Sequence, residues 1–172
     1  MQDIAEKAGL SKGNIYHHFP DKETIFRDLL DEYFKVISQP DFPFNKALGS
    51  GPFPENLEAL GHAAREMVRD YREYVSLIYV DVVEFDAAHV RKFYEEMASR
   101  FEVFLKAHGM EAAIKSKLAD GLSPTSAVIL ATRIFMNYFT VEILFGVKNH
   151  FGKSTDEVVG EITKILRHGM LR

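Results

Sequence analysis

Between Gln2 and Phe19 the chain places Ser11, Lys12, Gly13, Asn14 and His17 on one side of a short segment. These are short polar or cationic groups, the kinds that reach base edges and phosphates in a major groove. An asparagine carboxamide can bond bidentately to adenine, and a lysine reaches guanine or a phosphate. Lys22 follows at the start of the next segment, where its ammonium and nearby backbone N–H groups can meet a phosphate together. His17 and His18 are adjacent, so on a helix they point about 100° apart and do not readily share one metal ion. A groove contact for His17, and packing or capping for His18, are the expected roles. The chemistry indicated is contact with a duplex.

Two short helices must carry these groups. Gln2 to Ala8 reads as the first, with Ile4, Ala5 and Ala8 inward. Gly9 ends it, since glycine takes the left-handed conformation without penalty. Ser11 is placed to cap the second by accepting from a backbone N–H two or three residues on. Ile15, Tyr16 and Phe19 give that second helix an apolar side, and the small Ala5 lets it approach closely. Two short helices joined by a tight turn form a helix-turn-helix. The clearest helix of the chain follows at 21–38, where Ile25, Phe26, Leu29, Leu30, Tyr33, Phe34 and Ile37 form one apolar stripe. Asp21 and Glu23 sit near its start, the end that favours acids.

The string IAEKAGLSKGNIYHHFPDKETIF resembles the helix-turn-helix of tetracycline-repressor (TetR) type regulators across nearly all of residues 3–30. The AG turn, the S-K-G-x-I-Y-H-H-F helix and the P-D-K-E opening occur together at the family's spacing. By that resemblance Ser11, Lys12, Gly13, Asn14, Tyr16, His17 and Lys22 fall where family members contact DNA. Tyr16 and Lys22 would serve phosphates. Lys12, Gly13, Asn14 and His17 would face bases, and Ile4, Ala5, Ile15 and Phe19 would hold the unit together. The resemblance also implies a helix before Gln2 and a Ser or Thr capping the helix that begins there. The sequence as it stands starts after both, so an incomplete head and weak DNA binding are expected.

The organisation expected is all-α. Residues 1–38 form the DNA-binding region with its connecting helix. Residues 39–54 form a connector, rich in Pro and Gly and packed on the body through Phe42, Phe44 and Phe53. Residues 55–172 form a helical ligand-binding and dimerisation domain, with helices near 55–70, 72–86, 87–107, 124–147 and 154–168 and breaks at Gly109 and at Gly121 to Pro124. Ser123-Pro124 reads as a helix start, and Ser154 with Glu157 as a capping box.

Within this body Tyr79, Phe85, His89, Phe93, Phe135, Tyr138 and Phe139 are candidates to line a pocket for a small apolar or aromatic effector. For any single one of them, bundle core is the favoured reading. Arg133 can pair with an acid such as Asp81 or Glu84. The helices near 124–147 and 154–168 are expected to form a homodimer as a four-helix bundle. Two heads on one two-fold axis would then read a palindromic operator, with repression as the implied outcome. The alternative is a helical dimeric small-molecule-binding protein that has lost DNA binding.

Composition narrows the classes. The 172 residues hold no cysteine, which excludes disulfides and thiolate chemistry and fits a cytoplasmic protein. No charge-free apolar run is long enough to mark a membrane span. No phosphate-cradling loop, nucleophile motif or paired acid and base marks an enzyme, and no cofactor or metal is implied. Net charge is −4, and residues 1–38 carry five bases against seven acids. Any contact with DNA must therefore be local rather than a product of overall charge.

Overall fold

The computed structural model describes residues 1–170, which form ten α-helices and one π turn. In the head, α1 (Gln2–Ala8) closes on Gly9, whose φ of 67° lets the Leu10 N–H return to the Ala5 carbonyl. α2 (Lys12–His18) starts at Ser11, whose hydroxyl accepts from the Asn14 N–H at 3.1 Å. Ala5 and Ile15 are the buried contacts between the two; Ile4 and Phe19 are half-buried. Ala8, expected inward, is exposed, because α1 is too short for its last turn to pass over α2.

α3 (Lys22–Ile37) leaves the head and enters the body. Asp21 caps it, accepting from the Thr24 N–H at 2.7 Å and the Thr24 hydroxyl at 2.8 Å. At its far end Tyr33, Val36 and Ile37 pack on a small core of Phe42, Met67 and Val75. The Asn45 carboxamide locks that end by donating to the Ile37 and Gln39 carbonyls.

The connector is not continuous loop. It folds a seven-residue helix, α4 (Pro43–Gly49), which Pro43 starts from a first-turn position that needs no N–H. Phe42 and Phe53 are buried and Phe44 packs beside them, as their apolar character requires. The body then runs through α5 (Leu57–Asp70), α6 (Arg72–Glu84), α7 (Ala88–Ala107), α8 (Glu111–Lys115), α9 (Pro124–Phe139) and α10 (Thr155–Met170). α8 lies in the stretch between Gly109 and Gly121 that sequence periodicity left unassigned; at five residues it is too short to show a period.

α5 and α9 form the centre of the main core, with α10 across them. Phe135, Phe139, Leu60, Ala64 and Val128 are completely buried there. Pro124–Leu144 is long and apolar enough to cross a membrane by length and composition, yet its inner face is filled by this bundle contact. Its α-helix ends at Phe139, earlier than 147, and passes into a π turn at Thr140–Leu144. The Ser123 and Ser154 starts both form: Ser123 accepts from the Ser126 N–H, and Ser154 and Glu157 exchange bonds in both directions.

Candidate nucleic-acid interface

α2 presents one continuous outer face. Ser11, Lys12, Gly13, Asn14, Tyr16 and His17 are all exposed, while Ile15 turns inward at 6%. The Lys12 ammonium rests over the Tyr16 ring, 5.8 Å from its centroid, so the two already share one side of the helix. Ser11 spends its hydroxyl oxygen on the cap but keeps its O–H as a donor. From Lys7 to Pro20 there is no acidic residue. The acids of the head lie on α1 and α3, so the outer face of α2 is locally cationic although the head as a whole is not.

Lys22 stands at the start of α3, next to this face. Its Nζ donates to Glu84 Oε2 of α6 at 3.1 Å, and both side chains stay about half exposed. One residue on, Glu23 Oε1 lies 3.4 Å from His89 Nε2. His89 Nδ1 in turn lies 2.7 Å from Asp81 Oδ1. The ring thus bridges the two carboxylates through its two nitrogens.

Asp81 is fully buried and its other oxygen accepts the N–H groups of His89 (3.0 Å) and Val90 (2.7 Å). It thereby caps α7 from a distance, since Ala87 has no side-chain oxygen to do so. Asp86 and Ala87 both take positive φ (52° and 58°), a conformation that costs an alanine roughly 1–2 kcal/mol. Asp81 is what holds this strained corner together. Phe26 of α3 is buried against it, with its ring 5.0 Å from Phe85 and 5.2 Å from His89.

Comparison with known proteins bears on this head directly. Residues 1–29 match the family described as bacterial regulatory proteins, tetR family. Over these residues the head is similar to that of the tetR family. The HTH-type transcriptional repressor KstR2 of Mycolicibacterium smegmatis is 31% identical over 99 residues. That alignment covers 53% of this chain and 46% of the repressor, so the chain spans less than half of that relative's length. No solved structure matches the chain.

Beyond the head, the seven aromatic and histidine candidates of the body do not gather around one cavity. Phe85, His89 and Phe93 lie on the side facing α3, where Phe93 approaches Phe34 (5.7 Å) and Tyr33 (6.3 Å). Tyr79 is exposed and touches Phe145. Phe135 and Phe139 are wholly within the main core. Tyr138 meets Phe139 edge-on at 5.1 Å within that core, and its other side lies against His150 and Phe151. A cleft of about 340 Å³ between α1, α3 and α6, floored by Phe26, Leu29, Leu77 and Val80, takes only Phe85 of the seven.

Arg133 pairs with neither Asp81 nor Glu84. It lies over the Tyr94 ring at 5.0 Å, because His89 and Lys22 hold those acids instead. Sequence reading missed the roles of Glu23, Asp81 and Glu84. Their partners are distant in sequence or on another helix, and only the embedding of two acids in the apolar run 74–85 hinted at buried or paired carboxylates. Among the described residues no group of three His, Asp or Glu side chains is placed to hold a metal ion.

Proposed function

We propose that this chain is a DNA-binding transcriptional regulator, not an enzyme, acting as a homodimer whose two α2 helices read the half-sites of a near-palindromic operator. The observation that carries this reading is the acid-free outer face of α2, with Ser11, Lys12, Gly13, Asn14, Tyr16 and His17 exposed together and Lys22 beside them. Lys12, Gly13, Asn14 and His17 face bases; Tyr16 and Lys22 serve phosphates. The similar mycobacterial protein is a transcriptional repressor, which supports repression over activation.

The homodimer is assigned to α9 and α10, within residues 124–147 and 154–168. The body would take a small apolar or aromatic effector, acting only through unequal affinity for two head spacings. α3 is the lever for such a change, since it is bonded to the α6–α7 corner at one end and to the Phe42 core at the other. The excess of acids in residues 1–38 favours one rival, a small-molecule-binding dimer that no longer binds DNA.

Binding to a labelled duplex, measured against salt, separates the two. A regulator is retained on the duplex at low ionic strength, with affinity falling linearly in log salt. Lys22→Ala should weaken binding to all sequences alike and reduce the salt slope by roughly 0.9. Asn14→Ala should alter the preference at a particular base pair in selection from a random library. A folded protein that shifts no duplex at low salt ends the regulator reading.

A further inference from the structure

Two charges at the junction stand at the wrong ends of their own helices. Lys22 occupies the first turn of α3, where the helix dipole favours an acid. Glu84 closes α6, where it favours a base, and the last turn of α6 holds none. Neither placement serves its own helix. The two meet each other instead across 62 residues of sequence, at 3.1 Å. With 48% and 46% of their side-chain surfaces exposed, they form a pair that exchanges readily with solvent and with competing ions.

The contact beside it is of another kind. Glu23 meets His89, and His89 is fixed by a fully buried Asp81 that also holds the start of α7. The first turn of α3 therefore meets the α6–α7 corner twice, once through a ladder whose outer carboxylate is exposed and whose inner one, Asp81, is buried, and once through an ion pair exposed at both ends. The ladder keeps the corner and α3 in register. The Lys22–Glu84 pair has no buried group behind it and is the part free to change.

We propose that Glu84 is a built-in competitor for the DNA phosphate at Lys22. This rests on the DNA-binding reading of the head. In the structure the ammonium is already neutralised by a carboxylate of the body, and the same carboxylate repels a phosphate brought to that ammonium. A duplex must displace Glu84 to take Lys22. Any rearrangement of the body that draws the end of α6 away from α3 releases the lysine, and any that presses them together withholds it. An exposed pair of this kind corresponds to about two- to fivefold in affinity per head, and to the square of that when two heads engage one duplex.

The test is a titration of the full chain into a fluorescein-labelled, mixed-sequence duplex about three helical turns long, read by anisotropy at low ionic strength. The set is wild type, Glu84→Gln, Lys22→Ala, the double variant, and Glu73→Gln. Glu73 is an exposed acid in the first turn of α6, about 16 Å along the helix from Glu84, and reports the general effect of removing a negative charge. Glu84→Gln should bind at least about twofold more tightly, Glu73→Gln should match wild type, and Glu84→Gln should change nothing when Lys22 is already alanine. Circular dichroism should show the same helicity for wild type and Glu84→Gln, with unfolding temperatures within a few degrees. An equal gain with and without Lys22, or no gain at all, overturns the competition and leaves the regulator reading standing. If every variant is folded and none binds the duplex, the regulator reading itself falls, and the competition with it.

Discussion

At the scale of single residues, the head depends on a few polar atoms whose partners are close in sequence. Asp21 is the clearest. Its carboxylate accepts two bonds from Thr24, first the backbone N–H and then the hydroxyl, and these hold its pKa below the ordinary aspartate value. A depressed carboxyl pKa contributes stability that is complete above the unfolded-state value and is lost as pH falls through the folded one. Asp21→Ala should therefore lower the unfolding temperature by the same amount anywhere between about pH 5 and about pH 8, and the gap should close as pH drops below about 4. Thermal unfolding of both proteins across that range checks this. A gap that persists unchanged into stronger acid would assign the effect to something other than the ionised cap.

Residue-scale bonds also show where sequence reading reaches its limit. The capping partners Ser11 with Asn14, Ser123 with Ser126 and Ser154 with Glu157 lie three residues apart, so spacing alone identifies them. The exposed face of α2 was readable for the same reason. Lys22 with Glu84 is separated by 62 residues, and no local rule pairs them. Arg133 had two acids that looked equally suitable, and took neither, because the tertiary packing gave both to other elements.

At the scale of elements, the long helices were legible from their periods and caps, and the short ones were not. α4 hides in a segment whose prolines signal a break, yet Pro43 is placed where it starts a helix instead of ending one. α9 stops before its apolar run does, in a π turn that has no periodic signature. The fit between helices is equally silent in sequence. Gly61 of α5 stands where an added Cβ would come 2.8 Å from Val159 and 2.9 Å from Phe135. Alanine is the better helix former by about 1 kcal/mol, so propensity alone favours Gly61→Ala. The collision is with two fully buried side chains from two other helices, and overpacking of this kind costs about 1–3 kcal/mol. Gly61→Ala should therefore be destabilising on balance, lowering the unfolding temperature by a few degrees. Chemical denaturation gives the sign, and an increase in stability would mean that Phe135 and Val159 move aside freely.

At the scale of the whole molecule, the proposed assembly must be built from surface that the bundle leaves apolar. α9 exposes Leu130 (51%) and Ile134 (44%) one turn apart, flanked by Arg133 and Asn137. The outer side of α10 is charged, with Asp156, Glu157, Glu161 and Lys164, and Ile165 is the exposed large apolar residue among its described side chains. If α9 and α10 form the two-fold interface, its apolar centre must be the Leu130–Ile134 face of α9, and α10 must supply mainly a polar rim with Ile165 set into it. In a two-fold interface each side chain is buried twice, and each large aliphatic group is worth about 1.5–3 kcal/mol when fully covered. Replacing both Leu130 and Ile134 with aspartate should raise the dimer dissociation constant by at least on the order of a hundredfold without loss of helicity. Ile165→Asp should have the smaller effect. Light scattering over a concentration series reads both. Because two linked heads hold a duplex more tightly than one, the same double variant should lose affinity for a two-half-site duplex while its contact with a single half-site is preserved. A dimer that survives aspartate at both α9 positions would move the interface elsewhere, and with it the axis that sets the spacing of the two heads.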